Sequence, residues 1–569
     1  MASLVDNYYR PLLCRSVFAF VLLAVLVSGQ AAAEQQARPN VLVLMAEDMG
    51  PRVRAFGDEV AVTPNLDHLA RQGVRYTNVF ATAGVCAPSR AAHITGMHQV
   101  SFGAQHMRTY RGPLGSYKTV PPPEVKAYPE LLRRAGYYTW TDDKLDYQFS
   151  HIHPGSGPFT IWDDEGEEGH WRNRQAGQPF YGLVNLQLTH EGGVFTPLGT
   201  WPNSVLHLYT QIDRWRSLPG VEDETPVSPE QVQVPPYYPD TLTVRADIAR
   251  HYNNIAAMDK QVGDILRALE EDGLADSTIV IWVTDHGDGL PRAKRELFDS
   301  GTRVPMIVRW PDTFRPKEVA VNSIDGRLVS LIDLAPTILR LAGVEPPSYL
   351  QGVDFIVGPP RRFVFSARDR IDKVHDRQRA VTDGRYKYIR SWYPDQAGGH
   401  DLAYRDNLSM MKELKDLYSK GQLNDVQRQW FEPPGLERLY DLDTDPHETT
   451  NLVQDPRYQS QLEVMREAMI EWQSRVRDLG EISERQMLSE FWPGNTAPLT
   501  AAPEIRFANG FLHLHSSTVG ASVGLRINDG RWQLYSQPVP VMPGARVEAK
   551  AVRYGWEEST LASAVLDAG

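Results

Sequence analysis

Along most of the chain, uninterrupted apolar runs alternate with segments whose apolar residues recur at helical spacing. Asn40-Val41-Leu42-Val43-Leu44-Met45-Ala46, Phe180 to Leu186 and Thr278 to Thr284 are continuous runs of the kind buried on both faces of a parallel sheet. Tyr137 to Trp140 and Gly301 to Val308 add two further strands. Between them, Val244 to Glu271 places Ile248, Ile255, Met258, Val262, Ile265 and Leu266 on one helical face, and Gly273 closes the helix. Shorter helices are predicted from Thr63, a candidate N-cap followed by Pro64, over Tyr128–Ala135 with Gly136 as terminator, over Leu328–Leu341, and near Gln459–Leu479. Ala380 to Ile389 carries an Asp383-Gly384 turn signal and reads as a hairpin. Beyond Pro498 the texture changes: residues 519–535 alternate about a turn with no helical period, so residues 499–569 read as a small β-sandwich.

Composition changes this picture at three places. The 569 residues, 42% hydrophobic and 23% charged, suit a large multi-domain globular chain. The first residues differ: Arg10 and Arg15 precede the apolar run Val17–Val27, which is too short to span a membrane and ends near Ala31-Ala32-Ala33. Residues 1–33 therefore read as a signal peptide, which predicts a secreted or periplasmic protein with no stable membrane anchor after cleavage. Cys14 leaves with this leader, so Cys86 is the single cysteine of the mature chain and an internal disulfide is excluded. The formal net charge of −12 argues against nucleic acid as a partner, since phosphate neutralisation needs a surplus of Lys and Arg. Residues 361–390 reverse the sign locally, with ten Lys or Arg against four Asp. Arg368, Arg370 and Arg379 in this stretch are candidate contacts to an anionic ligand.

Candidate chemistry gathers just past the strand ends, where open α/β sheets bind ligands. Glu47-Asp48 follows the first strand, Lys144 the strand at Tyr137–Trp140, His190 the strand at Phe180–Leu186, and Asp285-His286 the strand at Thr278–Thr284. Residues 191–245, rich in Pro, Trp and Tyr, read as an elaborated loop region that restricts access to this end of the sheet.

The stretch Val85-Cys86-Ala87-Pro88-Ser89-Arg90-Ala91-Ala92-His93-Ile94-Thr95-Gly96 gives these groups a common meaning. A lone cysteine is most often a small buried hydrophobe. The order Cys-x-Pro-Ser-Arg followed by Thr-Gly, however, resembles the signature of the type I, formylglycine-dependent sulfatases of the alkaline phosphatase-like superfamily. The resemblance covers about residues 38–485 and is nearest to heparan N-sulfatase-like members. It implies an α/β fold with a central sheet flanked by helices over residues 34–375, a smaller C-terminal α+β subdomain over 376–490, and the β-sandwich as an appended module.

It further implies that a formylglycine-generating system converts Cys86 to formylglycine, whose hydrate attacks sulfur. Glu47, Asp48, Cys86, Asp285 and His286 would hold a divalent cation, calcium with magnesium as the alternative. Arg90 would stabilise the ionised nucleophile, Lys144 and Lys294 the sulfate, and His190 the leaving group. On the charge of the basic stretch rather than on the resemblance, Arg370 and Arg379 are expected to help hold the sugar. The sequence departs from the family pattern twice: Glu47 stands where Asp is usual, and Asp146 where a Lys-x-His segment would place histidine. The function implied is hydrolysis of an N-sulfate or sulfate ester from a sulfated carbohydrate such as heparan sulfate glucosamine. The alternatives are an O-sulfatase on another sulfated polysaccharide, a phosphonate or phosphodiester hydrolase, and a non-catalytic carbohydrate-binding relative.

Overall fold

The computed structural model describes residues 38–195 and 226–565, with Leu208 and Ile212 as single positions. The leader read over residues 1–33 lies outside the described residues, as does most of the loop region read over 191–245. From Asn40 onward the chain is one compact unit.

Its centre is an eight-stranded sheet made of β1 (Asn40–Ala46), β2 (Gly73–Phe80), β3 (Tyr138–Thr141), β4 (Asp164–Glu165), β5 (Phe180–Leu186), β6 (Thr278–Thr284), β7 (Arg303–Arg309) and β8 (Ser323–Ser330), in the order β4-β3-β5-β1-β6-β7-β2-β8. β1 lies between β5 and β6, parallel to both, and β7 runs antiparallel to its neighbours β6 and β2. Every residue of β1 is buried, as its unbroken apolar run requires. Alternate side chains leave a strand on opposite faces, and β1 divides accordingly. Val41, Val43 and Met45 join a core that includes Ala91 and Ile94 of helix α2 (Cys86–Thr95). Leu42, Leu44 and Ala46 join a second core with Leu66 and Leu69 of α1 (Pro64–Gln72) and Ile255, Met258 and Val262 of α4 (Leu242–Glu271). Helix α3 (Tyr128–Arg134) precedes β3 as expected. Thr63 stands at the N-cap of α1, but its side chain does not cap the helix; its Oγ1 accepts from the Arg54 backbone N–H at 3.1 Å.

The helix expected over Leu328–Leu341 is shorter. Leu328, Val329 and Ser330 belong to β8, paired with Asn78, Val79 and Phe80 of β2, and helix α5 spans only Leu334–Leu341. Backbone pairing with a distant strand overrides the local helical pattern. A second, antiparallel sheet follows in the order β12-β11-β10-β9, from β9 (Val364–Arg368), β10 (Gln378–Thr382), β11 (Tyr386–Ser391) and β12 (Glu437–Asp441). It begins ahead of the boundary read at 375/376, because β9 already pairs with β10. One face packs on α7 (Gln459–Val476), where Phe365 and Trp472 stack with centroids 4.9 Å apart. The other meets α6 (Ser409–Ser419) and the start of α4. Helix α8 (Glu484–Phe491) follows α7.

The C-terminal strands β13 (Glu504–Ala508), β14 (Phe511–His515), β15 (Ser522–Ile527), β16 (Gln533–Leu534), β17 (Val539–Pro540), β18 (Arg546–Val552) and β19 (Ala562–Val565) form two antiparallel sheets, in the orders β13-β14-β17 and β16-β15-β18-β19. Leu512, Leu514, Leu525, Val547 and Ala549 fill the space between them, as a sandwich requires. The sandwich is seated on α3 through buried Glu130, whose carboxylate accepts from Ser522 Oγ at 2.6 Å and from the Tyr554 hydroxyl at 2.8 Å.

Candidate active site

Register alone brings the acidic strand ends together. Ala46 of β1 pairs with Thr284 of β6 and with Leu186 of β5, so Glu47-Asp48, Asp285-His286 and the segment leading to His190 leave the sheet side by side. Asp48 turns with φ 50°, a left-handed conformation that Asp tolerates better than most residues. The turn is held from both sides: the Asp48 N–H donates to Asp285 Oδ1 at 3.1 Å, and its carbonyl accepts from the Gly289 N–H at 2.7 Å. Cys86 is the first residue of α2 and is fully buried, with Sγ 3.3 Å from His286 Nε2 and 3.7 Å from Asp48 Oδ1. Ser89, one turn along, donates through Oγ to the Asp285 carbonyl at 2.6 Å and so ties the helix to the end of β6.

The charges around Cys86 are paired in a definite pattern. Arg90 spans two of the acids, with Nε 3.1 Å from Asp285 Oδ2 and Nη2 3.1 Å from Glu47 Oε1. Its Nη1 donates to Asn185 Oδ1 at 2.5 Å. Lys144 Nζ lies 2.5 Å from Glu47 Oε1, and Lys294 Nζ lies 2.5 Å from Asp48 Oδ2 and 3.3 Å from His190 Nε2. Burial opposes ionisation of Glu47 and Asp48, but Lys144 and Arg90 hold the first below its usual range, and Lys294 with the two histidines holds the second well below it. Burial would raise the Cys86 thiol; the ammonium groups of Lys144 and Lys294 outweigh it and bring it down to about 6. The position therefore favours an anion. Burial would lower His286, yet Asp285, the Cys86 thiolate and Asp48 raise it to about 10.

The expected metal set divides into two overlapping groups. Asp48, Cys86, Asp285 and His286 form one and Glu47, Asp48, Cys86 and His190 the other, each with ligand atoms within 4.8 Å of one another. Asp48 and Cys86 belong to both. Each group offers two carboxylates and one imidazole, His286 in the first and His190 in the second, and across both the three carboxylates make an oxygen-rich donor set that suits a hard cation such as calcium or magnesium.

Of the candidates singled out in the sequence, Glu47, Asp48, Cys86, Arg90, Lys144, His190, Asp285, His286 and Lys294 converge here. Arg370 and Arg379 do not, and the basic stretch is not an exposed patch. Arg370 is fully buried and gives Nε and Nη2 to Glu484, both at 2.7 Å, and Nη1 to the carbonyls of Met107 and Asp372. Arg379 is equally buried, bidentate on Asp478 at 2.7 Å and 2.8 Å from Asp369. Arg368 is buried between Glu296 and Asp376. A guanidinium with every edge occupied has no donor left for a sugar, so the expectation of substrate contacts from Arg370 and Arg379 is corrected to a structural role.

Sequence reasoning also missed three residues. Asn185 holds Arg90 and is itself held by Asp142, whose carboxylate accepts from Nδ2 at 2.5 Å. Glu191 is buried between Lys294 and Arg295, 3.1 and 2.5 Å away, and fixes the lysine from behind. Arg108 pairs with Asp146. Asn185 lies inside an apolar run and Glu191 directly after His190; nothing in their local pattern separates them from ordinary polar residues.

A buried, anion-favouring residue at a helix start, two lysines beside it and a carboxylate cluster at the carboxyl ends of parallel strands define a hydrolase site of the sulfatase class. The chain belongs to the sulfatase family: the Sulfatase family model matches residues 39–344, and a model described as N-sulphoglucosamine sulphohydrolase, C-terminal, matches residues 292–433. It is a sulfate ester or sulfamate hydrolase, and the resemblance read from the cysteine motif is borne out. An ulvan-active sulfatase of Formosa agariphila is 38% identical over 97% of this chain and 97% of its own length. The human N-sulphoglucosamine sulphohydrolase is 28% identical over 78% of this chain and 91% of its own.

Among solved structures, a protein in complex with its substrate D-glucosamine-2-N,6-O-disulfate shares the fold with a TM-score of 0.53 at 18% identity, over 78% of this chain and 98% of that one. A phosphonate monoester hydrolase of Agrobacterium radiobacter shares it too, with a TM-score of 0.51 at 19% identity over 79% of this chain and 99% of that one. Fold by itself does not choose between these chemistries.

Proposed function

We propose that the chain removes an O-sulfate from a sulfated polysaccharide fragment, using Cys86 after its conversion to formylglycine by a modification system. The observation that carries this is the convergence of Lys144 and Lys294 on buried Cys86 at the head of α2. The polysaccharide reading is supported by the full-length match to an ulvan-active sulfatase, which extends across the β-sandwich. A second reading, cleavage of the N-sulfate of glucosamine, is favoured by the C-terminal family match over residues 292–433. The leader over residues 1–33 supports export to the periplasm or beyond, where such substrates are met.

In this reading the residues divide the work as sulfate transfer demands, through positioning and charge stabilisation. A hydrated aldehyde at position 86 would supply one hydroxyl as nucleophile and a second to drive sulfate release. The charges that lower the Cys86 thiol would equally favour ionisation of that hydroxyl. Glu47, Asp48, Asp285 and His286 would hold a divalent cation, calcium or magnesium, which supplies polarisation of a sulfate oxygen and acidity at the nucleophile. Lys144 and Lys294 orient the sulfate, and Glu191 keeps Lys294 in place. His190, whose side chain keeps 25% of its exposure, would supply the proton that the departing sugar oxygen needs.

Sulfate release tests this, measured on ulvan fragments, N-sulfated glucosamine and a phosphonate monoester with protein whose residue 86 has been verified by mass spectrometry. Release from ulvan fragments that requires formylglycine supports the reading. Full activity with an intact thiol at Cys86, or turnover of the phosphonate alone, would overturn it.

A further inference from the structure

Arg90, Lys144 and Lys294 are nearly fully buried and matched to the carboxylates of the site. Arg108 differs. Burial would lower its pKa, but Asp146 first, then Tyr110 and Cys86, raise it; its side chain nonetheless keeps 20% of its exposure. Its guanidinium is gripped along one edge only, with Nε 3.1 Å from Asp146 Oδ1 and Nη2 3.0 Å from Oδ2. Nη1 makes no hydrogen bond among the described residues.

Asp146 is fully buried, two residues beyond Lys144. Burial opposes its ionisation, but Arg108 first and Lys144 next hold it below the usual carboxylate range. Arg108 and Lys144 thus act on the same carboxylate, which ties the arginine to the lysine that would orient the sulfate. Asp146 also removes the rotamer freedom that a partly exposed arginine would otherwise lose on binding, which pre-organises the free edge of the fork. Carboxylates and sulfates are the anions that such an edge recognises.

We propose that Arg108, clamped by Asp146, is the specificity residue for a second anionic group on the sugar, a carboxylate or another sulfate beside the sulfate that is removed. This rests on the carbohydrate-sulfatase reading. Asp146 is a positioning residue: it acts through Arg108.

The test uses the full chain and reads the inhibition constant of sugar sulfates against aryl sulfate turnover, so that it does not require the sugar to be cleaved. Three competitors are compared: a neutral sugar monosulfate, the same sugar sulfate linked to a uronate, and a disulfated sugar. Arg108→Ala is expected to weaken a doubly anionic competitor roughly tenfold more than the neutral monosulfate, and whichever competitor responds identifies the anion. Arg108→Lys should recover part of the ratio, because charge is kept while the fork is lost. Asp146→Asn should move the same ratio in the same direction by a smaller factor. Equal weakening of charged and neutral sugars in Arg108→Ala would overturn the proposal and place the arginine on the transferred sulfate or in the fold. A selective ratio without turnover of any sugar sulfate by the parent would leave Arg108 in its role and count against the carbohydrate-sulfatase reading alone. Failure of every sugar sulfate to compete in the parent would overturn both.

Discussion

Two buried charge clusters can be compared, one at the carboxyl end of the central sheet around Cys86 and the other between the second sheet and the segment after α7, around Arg370 and Arg379. Both consist of charged groups taken out of water, and both shift the ionisation of their members. They differ in what stands at the centre. Around Arg370 and Arg379 each guanidinium is surrounded by carboxylates and carbonyls, so the cluster is complete. Around Cys86 the lysines face carboxylates on one side and a potential anion on the other, with a group of reactive type between them. Burial and perturbed ionisation therefore do not by themselves mark a catalytic site; charge directed at a reactive centre does.

The largest expected effect separates the clusters by function. Cys86→Ala should lower turnover by roughly 10^4-fold or more, while the unfolding midpoint stays near that of the parent, because one small buried side chain replaces another. Residual turnover close to that of the parent would remove the centre from the first cluster and erase the contrast.

Chelation should come next: activity falls and is regained with calcium or magnesium, as the three carboxylates demand. The arginine cluster offers no such ligand set to a cation, so its contribution to thermal stability should not respond to the chelator. Recovery with zinc alone would raise His286 to a principal ligand and count against a hard cation.

Arg379→Ala probes the other cluster. It leaves Asp478 and Asp369 buried without their partner and should destabilise the protein by roughly 3–5 kcal/mol. The ratio of saccharide to aryl sulfate kcat/KM measured on the folded fraction should stay constant. A selective rise in KM for the saccharide would return Arg379 to the substrate site.

The smallest effect is a pH dependence within the arginine cluster. Asp478 is held well below the usual carboxylate range: burial opposes ionisation, but Arg379 outweighs it. Asp369 moves the other way, since burial exceeds the pull of Arg379 and Asp478 adds repulsion, and its carboxyl rises to about 6. A carboxyl raised on folding binds more protons in the native state, so its contribution to stability falls as pH rises from its unfolded value, near 4, to about 6. Asp369→Asn should therefore compare more favourably with the parent at pH 8 than at pH 5 in thermal unfolding. The reverse order would mean that Asp369 is needed as an anion by Arg379.

What the sequence determined by itself is local in origin. β1, β5 and β6 were legible because a strand buried on both faces must be apolar throughout, and α4 because its apolar residues keep the helical period. The acidic, lysine and histidine positions past those strands were legible because a parallel sheet brings its carboxyl ends to one side, and the Cys86 motif gave them a shared centre. Tertiary structure decided what the charged side chains are paired with. Arg370 meets Glu484 from 114 residues away, Arg379 meets Asp478 from 99, and Arg108 meets Asp146 from 38. A basic run in sequence is silent about such partners, so it looked like an open patch when most of its cations were already taken. The same limit placed Leu328–Ser330 in a helix, although pairing with β2 makes it a strand. Hydrophobic periodicity reports which side of an element faces the core, and it acts through near neighbours in the chain. The partner of a charge is set by long-range packing, which only the folded molecule specifies.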